Sequence, residues 1–349
     1  MARTDFHPLT VAAVDALTDD SAAVTFTVPD DLGADFAFRP GQTLTLRRGD
    51  ERRSYSICAP AGRAPRIGVR VVAGGAVSSW LVNEVAPGDV VDVQPPSGSF
   101  TPDLATAGHH VLVAAGSGIT PMLSIAASVL AAHDDSTVTL FYGNRRSDSV
   151  MFADEVADLK DAHPARMRLV HVLSREAQEV ELFSGRLDAE RLRRLLPVTL
   201  DPASVDHWWL CGPFGMVTDA MDVLGELGVP ADRVHRELFY VGDDPPPETR
   251  HDDPPPGPGA EVTVILDGRS SPVTVEPGST VLDAAQRQRP DLPYACKGGV
   301  CGTCRALVTD GEVRMRRNYA LEPSEVEAGY VLTCQAEPVS PAATVDYDS

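Results

Sequence analysis

His109-His-Val-Leu-Val-Ala-Ala-Gly116-Ser-Gly118-Ile-Thr120-Pro121-Met-Leu-Ser-Ile-Ala-Ala-Ser-Val-Leu-Ala-Ala-His133 is the stretch on which the fold turns. Its first third is an unbroken apolar run, which predicts a buried strand. A Gly-rich turn follows, and then an apolar helix with Pro121 preset for the first helical turn. Strand, glycine turn and helix in that order make a cradle for a phosphate, because the helix N-terminus offers unpaired N–H groups. The turn is not a G-x-G-x-x-G, since Met122 and Leu123 occupy its later part.

Downstream the same alternation continues. Residues 137–143 (strand), 152–160 (helix), 167–174 (strand), 188–196 (helix), 207–212 (strand), 214–228 (helix) and 234–239 (strand) predict a doubly wound α/β domain over residues 106–242. Upstream, short β-type runs at 21–28, 43–48, 66–72 and 89–96 are separated by Gly and Pro turns. They predict an antiparallel β-barrel over residues 1–105. Residues 243–260, DDPPPETRHDDPPPGPGA, read as a Pro/Asp-rich linker of polyproline II character with five acids and one base. Beyond it, residues 261–349 show a hairpin (261–268 and 271–278), a short helix from 279 with Ser279 or Thr280 as N-cap, and strands near 305–309 and 344–348. The fold class is therefore multidomain: barrel, doubly wound α/β, and a small α+β domain.

The 349 residues carry a formal net charge of -20, with 43% hydrophobic and 23% charged content. Such a charge argues against nucleic acid and anionic membrane surfaces as partners. It serves solubility, or a partner with a basic docking face. No apolar run reaches membrane-spanning length, and the acidic N-terminus, broken by Pro8, lacks signal-peptide character. A cytoplasmic protein is expected. Six cysteines are present, and Cys296, Cys301, Cys304 and Cys334 crowd into the last sixty positions. In a reducing compartment that clustering points to metal ligation.

Cys296-Lys-Gly-Gly-Val-Cys301-Gly-Thr-Cys304, with Cys334 beyond, has the C-x4-C-x2-C…C spacing of a plant-type [2Fe–2S] site. Gly298, Gly299 and Gly302 let the backbone wrap the cluster and aim N–H groups at sulfur. A structural zinc site usually pairs two C-x2-C knuckles, and only one is present. Arg53-Ser-Tyr55-Ser56 offers a cation for pyrophosphate, a flat ring and a hydroxyl for a flavin. Gly75-Ala-Val77-Ser78 permits close approach of a phosphate at a helix start. Ser174-Arg175, at a later strand end, reads either as a grip on a 2′-phosphate or as a solvent-facing loop. Cys211-Gly212-Pro213 reads either as a thiol beside a nicotinamide or as a buried structural cysteine. Cys58, Trp208 and Trp209 read as core, and His109 and His110 as ordinary.

These motifs together resemble the ferredoxin–NADP reductase superfamily: R-x-Y-S, G-x-x-S, G-x-G-I-T-P and C-G-P in residues 1–242, followed by a plant-type β-grasp ferredoxin in 261–349. Residues 293–336 are similar nearly throughout to the reductase subunits of phenylacetyl-CoA epoxidases, which serve a ring 1,2-monooxygenase. The resemblance implies FAD in the barrel, NADPH on the α/β domain, a [2Fe–2S] cluster, and a di-iron oxygenase as electron acceptor. It places Arg53, Tyr55, Ser56, Gly75, Val77 and Ser78 at FAD. Gly116, Gly118, Thr120, Pro121, Ser174, Arg175, Cys211 and Gly212 fall at the nicotinamide cofactor, and Phe239 near the flavin ring. Ser56, Cys211 and Glu237 become the candidate catalytic residues. It implies an exposed cluster rim at Gly299–Gly302. Arg305, Arg314, Arg316 and Arg317 form either a docking patch or a scattered solvated surface, the latter slightly favoured. An NADH/FMN reductase of an aromatic-ring dioxygenase is the alternative enzyme reading. A metal-binding electron-carrier or interaction module is the non-enzyme one.

Overall fold

The computed structural model describes residues 5–239 and 259–349. The expected linker, up to residue 258, lies outside them. Two compact units are present, the larger built on the N-terminal sheet and the α/β sheet and the smaller on the C-terminal residues.

The larger unit begins with β1 (His7–Thr18), β2 (Ser21–Thr27), β3 (Thr43–Arg48), β4 (Glu51–Ser56), β5 (Arg66–Arg70), α1 (Ala76–Asn83) and β6 (Val90–Val93). The sheet order is β4-β3-β6-β1-β2-β5. An antiparallel bridge between Ile57 and Ile67 joins the residue after β4 to β5, so the two edges meet and the sheet closes as a barrel. Leu9, Val11, Val24, Phe26, Leu44 and Leu46 fill it. The sequence reading missed β1. Pro8 sits at its second position and points outward, while His7, Leu9 and Val11 face in. A proline near a strand start is tolerated there, and the period-2 pattern continues past it.

The chain then runs β7 (His109–Ala115), α2 (Ile119–Ala132), β8 (Thr137–Asn144), α3 (Ala153–Ala162), β9 (Met167–Leu173), α4 (Ala189–Thr199), β10 (His207–Gly212), α5 (Phe214–Glu226) and β11 (Val234–Leu238). All pairings in the sheet β11-β10-β7-β8-β9 are parallel. Tyr142 and Leu140 on β8 pack with Met122 of α2 and Val156 of α3. Gly143 points the other way, where a Cβ would lie 3.0 Å from Leu187, just ahead of α4. Helices therefore cover both faces, which is why these strands are nearly all apolar. From β7 the chain winds outward through β8 and β9, then returns to place β10 on β7's other side. That reversal creates a crevice between β7 and β10 at the strands' C-terminal ends.

The smaller unit holds β12 (Ala260–Leu266), β13 (Arg269–Val275), α6 (Val281–Ala285), β14 (Arg305–Asp310), β15 (Val313–Met315), α7 (Pro323–Glu327), β16 (Tyr330–Leu332), β17 (Ala336–Pro338) and β18 (Ala342–Asp346). The main sheet is β13-β12-β18-β14-β16, with β12 and β18 parallel and the other pairs antiparallel. This mixed sheet packs Val262, Val264, Ala306 and Val345 against Leu282 and Ala285 of α6, a β-grasp arrangement. Thr280 is the N-cap of α6, accepting from the Asp283 N–H at 3.2 Å. The short β15, β16, β17 and α7 were not predicted. Each has only three to five residues, too few for a period to declare itself. Among the described residues no helix is long and apolar enough to cross a membrane.

Candidate functional site

The crevice between β7 and β10 is where the chain's glycine turn meets its Cys-Gly-Pro turn. Gly116 has φ +55°, and a Cβ on Gly118 would fall 2.1 Å from the Cys211 carbonyl oxygen. No other residue fits at Gly118 without parting the two turns. The turn is braced by the Thr120 hydroxyl, which donates to the Ser117 carbonyl at 3.0 Å, and by the Tyr142 hydroxyl, which donates to the Gly116 carbonyl at 3.1 Å. Pro121 lies in the first turn of α2, where its missing N–H costs nothing. No side chain caps α2 at its N-terminus. A single 3-10 turn, Gly116–Gly118, leads directly into α2 and takes the Ile119 N–H on the Gly116 and Ser117 carbonyls, so the N–H groups open to a pyrophosphate are those of the glycine turn itself.

Cys211 is fully buried and stands in register with Ala114 of β7 and Glu237 of β11. Burial pushes its thiol well above the ordinary value, and the neighbouring Glu237 adds to the effect. Glu237 accepts a hydrogen bond from the Ser56 hydroxyl at 2.9 Å, which brings the end of β4 to the end of β11. As a residue Glu237 is half-buried. Its carboxyl has nonetheless lost enough hydration to be pushed up to about 7, opposed by the Ser56 hydrogen bond. Three residues chosen from distant parts of the sequence thus form one cluster. Phe239 follows β11 by one residue, with its ring partly exposed.

The flavin-motif residues divide into two kinds. Tyr55 packs against the barrel core, and Ser56 is buried. Arg53 is exposed and pairs with Glu51 at 3.2 Å, so a phosphate binding there exchanges one anion for another. Gly75 begins α1, which has no side-chain cap. Val77 is buried, and the Ser78 hydroxyl is engaged locally, accepting from the Val72 N–H at 3.1 Å and donating to the Gly75 carbonyl at 3.2 Å. What Gly75, Val77 and Ser78 present is therefore backbone, and the open N–H groups of α1 fit a phosphate.

At the outer strand ends, the Ser174 N–H donates to the Asn144 carbonyl at 2.9 Å, and the Arg175 N–H to the Arg145 carbonyl at 2.8 Å. Arg145 and Arg175 are both exposed, so two guanidinium-bearing residues end adjacent strands. The sequence reading missed Arg145 and Asn144. Asn144 is nine-tenths buried with its amide turned toward the Tyr142 hydroxyl, yet neither Oδ1 nor Nδ2 completes a well-formed hydrogen bond. Buried amides are normally satisfied, so this orphan at the end of β8 fits a hydrogen-bonding ligand crossing the sheet. A polar residue ending an apolar strand run was the available signal.

In the smaller unit the four cysteines stand as two pairs. The Cys301 thiol and the N–H groups of Gly298, Val300 and Cys301 hold Cys296 below its usual range. Cys304, with Gln335 and the Gly299 N–H, does the same for Cys334. The Gly298 N–H lies 3.3 Å from the Cys296 sulfur. The partner thiols of Cys301 and Cys304 are pushed up in turn, and two cysteine pairs of this kind suit two irons taking two sulfurs each. Among the described residues no group of three or more His, Cys, Asp or Glu is arranged to hold a single metal ion. Gly299 and Gly302 adopt φ of +79° and +66°. The expected rim needs correction at one end. Gly299 is buried beneath Gln335, and the half-exposed edge is residues 300–303.

Comparison with known proteins agrees with this division of labour. Residues 8–101 match the oxidoreductase FAD-binding domain, 112–222 the oxidoreductase NAD-binding domain, and 264–339 the 2Fe-2S iron-sulfur cluster binding domain. The chain is 41% identical to a subunit of the 1,2-phenylacetyl-CoA epoxidase of Escherichia coli (strain K12), over 99% of each chain. It is 35% identical to the ferredoxin reductase component of 3-ketosteroid-9-alpha-monooxygenase of Rhodococcus rhodochrous, over 97% of this chain and 96% of that one. The chain belongs to the ferredoxin-reductase-type reductase components of oxygenase systems. The phthalate dioxygenase reductase structure shares the fold, with a TM-score of 0.59 at 23% identity over 98% of each chain.

As such a reductase it carries FAD, a nicotinamide site and a [2Fe–2S] domain, and it is an oxidoreductase. The arginines of its ferredoxin domain are not a free basic patch. Arg305 pairs with Glu325 at 2.9 Å, while Arg314 and Arg316 share Glu337. Three of the four candidates are thus engaged by two carboxylates, which takes away most but not all of the charge of the docking-patch reading. Cys58 is core, as expected: its thiol donates to the Arg66 carbonyl at 3.2 Å and burial pushes it up to about 12.

Proposed function

We propose that this reductase draws electrons from NADPH and delivers them to a di-iron oxygenase that acts on phenylacetyl-CoA. The reading of the acceptor is carried by the 41% identity to the Escherichia coli epoxidase component over 99% of both chains. In this reading residues 1–105 hold FAD, 106–242 NADPH, 243–260 are the linker, and 261–349 hold the cluster through Cys296, Cys301, Cys304 and Cys334. The compartment is the cytoplasm, in keeping with six cysteines that form no disulfide.

When bound, the three groups supply hydride transfer and one-electron storage, and the chain supplies placement and proton control. The Gly116–Gly118 turn and the N-terminus of α2 bind the dinucleotide pyrophosphate, and the N-terminus of α1 with Arg53 binds that of FAD. Cys211 holds the floor of the crevice: its thiol is buried in the core with Ile119 and Met122 of α2, and its carbonyl meets the Gly118 turn. Ser56 donates its hydroxyl proton to Oε2 of Glu237 and orients the carboxyl, which near 7 gives or takes a proton of its own at neutral pH. Phe239 offers its exposed ring as an apolar cover for the flavin. Ser174 and Arg175, with Arg145 beside them, grip a 2′-phosphate.

Two measurements test this. Electron delivery is followed as epoxide formed per NADPH consumed with a purified di-iron component and phenylacetyl-CoA. Uncoupled NADPH oxidation, with dye reduction intact, would sink the acceptor while sparing the reductase. The second is the ratio of kcat/KM for NADPH to that for NADH in Arg175→Ala. A loss of about one hydrogen-bonded charge contact predicts a roughly tenfold to hundredfold fall in that ratio. An unchanged ratio removes Arg175 from the 2′-phosphate site.

A further inference from the structure

Gln335, the residue after the last cysteine, is a buried amide that joins the two segments carrying the cluster cysteines. Its Nε2 donates to the Lys297 carbonyl at 3.0 Å and to the Cys334 carbonyl at 2.9 Å, and lies 3.6 Å from the Cys334 sulfur. Two protons serve three acceptors, so the sulfur contact is shared with the Cys334 carbonyl. Its stem also covers Gly299, where a Cβ would lie 3.1 Å from Gln335 Cγ.

Lys297 is what makes this contact unusual. Lying between Cys296 and Gly298, it has φ +51°, a left-handed conformation that costs a non-glycine residue of order 1 kcal/mol or more. Such a residue persists only where its surroundings over-determine it. Here the Nζ is tied to Asp283 at 2.9 Å and lies 5.0 Å from the Tyr294 ring centre, while the carbonyl is held by Gln335. The loop is thus fastened at one residue from both ends. On the other side, the Gln335 carbonyl accepts from the Arg316 N–H at 2.9 Å, fixing the amide's own backbone.

We propose that Gln335 is a positioning residue of the cluster site: its carboxamide clamps the Cys296 loop to the Cys334 segment and directs N–H density at the Cys334 sulfur, raising the reduction potential of the bound cluster. The proposal rests on Cys296, Cys301, Cys304 and Cys334 as ligands. The reduced cluster is the more negative one, so any donor aimed at sulfur favours reduction and its removal disfavours it. Cys296, Cys301 and Cys304 stand on one of the segments that Gln335 joins and Cys334 on the other, so loosening the clamp also loosens Cys334 against its partner Cys304.

The test compares full-length wild type, Gln335→Leu and Gln335→Glu, each loaded with FAD and cluster. Leucine removes donor and clamp. Glutamate keeps the shape and replaces the donor by a charge that repels thiolate sulfur. At a fixed ambient potential the reduced-to-oxidised ratio of the cluster, read by its electron paramagnetic resonance signal, is expected to fall threefold to tenfold in Gln335→Leu and further in Gln335→Glu. Tenfold corresponds to 59 mV for one electron. Loss of the cluster to an iron chelator is expected to be faster in both. Reduction of the flavin by NADPH, read at the flavin band, is expected to stay at the wild-type rate. Loss of the cluster from both variants, with FAD content intact, supports the clamp. A wild-type ratio and signal in either cluster-bearing variant overturns the proposal. A wild-type protein that binds no [2Fe–2S] cluster fails the ligand reading instead.

Discussion

Glu237→Gln separates two consequences of one desolvated carboxyl. In the unfolded chain the group titrates near 4.5, and in the folded protein near 7. Between those values the folded state holds a proton that the unfolded state has released. Stability therefore falls as pH rises through that window, and the full penalty is present above about 7. A displacement of roughly 2.5 pH units, at about 1.36 kcal/mol each, gives an upper figure of about 3 kcal/mol. Solvent reaching the half-buried residue lowers it to about 1–3 kcal/mol. Glutamine keeps an acceptor for the Ser56 hydroxyl, whose bond to Glu237 is 2.9 Å, and never ionises. The variant should be more stable than wild type by that amount at pH 8 and nearly equal to it at pH 4.5.

The assay is urea unfolding of the flavin-free protein, followed by fluorescence of Trp208 and Trp209, which lie in the same parallel sheet. The same substitution should lower kcat with NADPH by about a hundredfold, since a positioned proton donor contributes at least that much. It should also flatten the limb near pH 7 in kcat/KM. A stability difference that is the same at both pH values, or larger in acid, would refute the desolvation argument. Retention of the limb near pH 7 in the variant would refute the assignment of that proton to Glu237.

Three further outcomes follow from the same end of the sheet and from its opposite end. Gly118→Ala forces a Cβ to within 2.1 Å of the Cys211 carbonyl, so the turns must part. A cost of about 1–3 kcal/mol is expected in thermal unfolding, with weakened NADP⁺ binding in calorimetry; unchanged binding would contradict the crevice. Asn144→Leu replaces two buried unpaired polar atoms, so the ligand-free protein should gain about 1–3 kcal/mol while NADP⁺ affinity falls. A gain in stability without loss of affinity would make the orphan merely structural. At the other end, burial holds His110 and His235 down to about 4, helped by the facing His207. The unfolded chain binds their protons first, so stability is lost as pH falls from about 6.5 toward 4, by up to about 3 kcal/mol per histidine. His110→Phe should move the acid midpoint of Trp fluorescence downward; an upward move would refute the sign.

The doubly wound sheet was legible because its central strands β7, β8 and β10 are buried on both faces and read as apolar runs between helices. The four cysteines were legible because sulfur ligation leaves its spacing in the sequence. Ser56, Cys211 and Glu237 were recognised through a family resemblance, and no local pattern joins them. Their meeting is a product of barrel closure at Ile57–Ile67 and of the parallel register of Cys211 with Glu237. Asn144 escaped notice because an unpaired amide is a property of surroundings, which a one-dimensional string does not carry. His110 read as ordinary for the same reason, and His235 drew no reading of its own. Only the sheet stacks His110 on His207, with ring centres 5.0 Å apart, and His235 on Trp209 at 4.3 Å. The arginines of the ferredoxin domain left two readings open, because a count of charges does not show that Arg305, Arg314 and Arg316 are engaged by Glu325 and Glu337.

The two ends of the parallel sheet thus divide stability and function between them. At the C-terminal ends the chain tolerates a glycine contact no side chain can enter, an unpaired amide and a carboxyl held near 7. Each is unfavourable for the protein alone, and each is what a dinucleotide and a proton-carrying site require. At the N-terminal ends, the same strands β7, β10 and β11 close on a stack of imidazoles and indole in which the Trp209 N–H donates to His110 Nδ1 at 3.2 Å. Over the pH range from about 4.5 to 6.5, Glu237 makes the fold less stable with rising pH while His110 and His235 make it more so. Removing Glu237 should therefore expose the full histidine dependence. In Glu237→Gln the rise of stability between pH 5 and 6.5 should be steeper than in wild type, and a slope that does not change would mean the two ends are not opposed as argued.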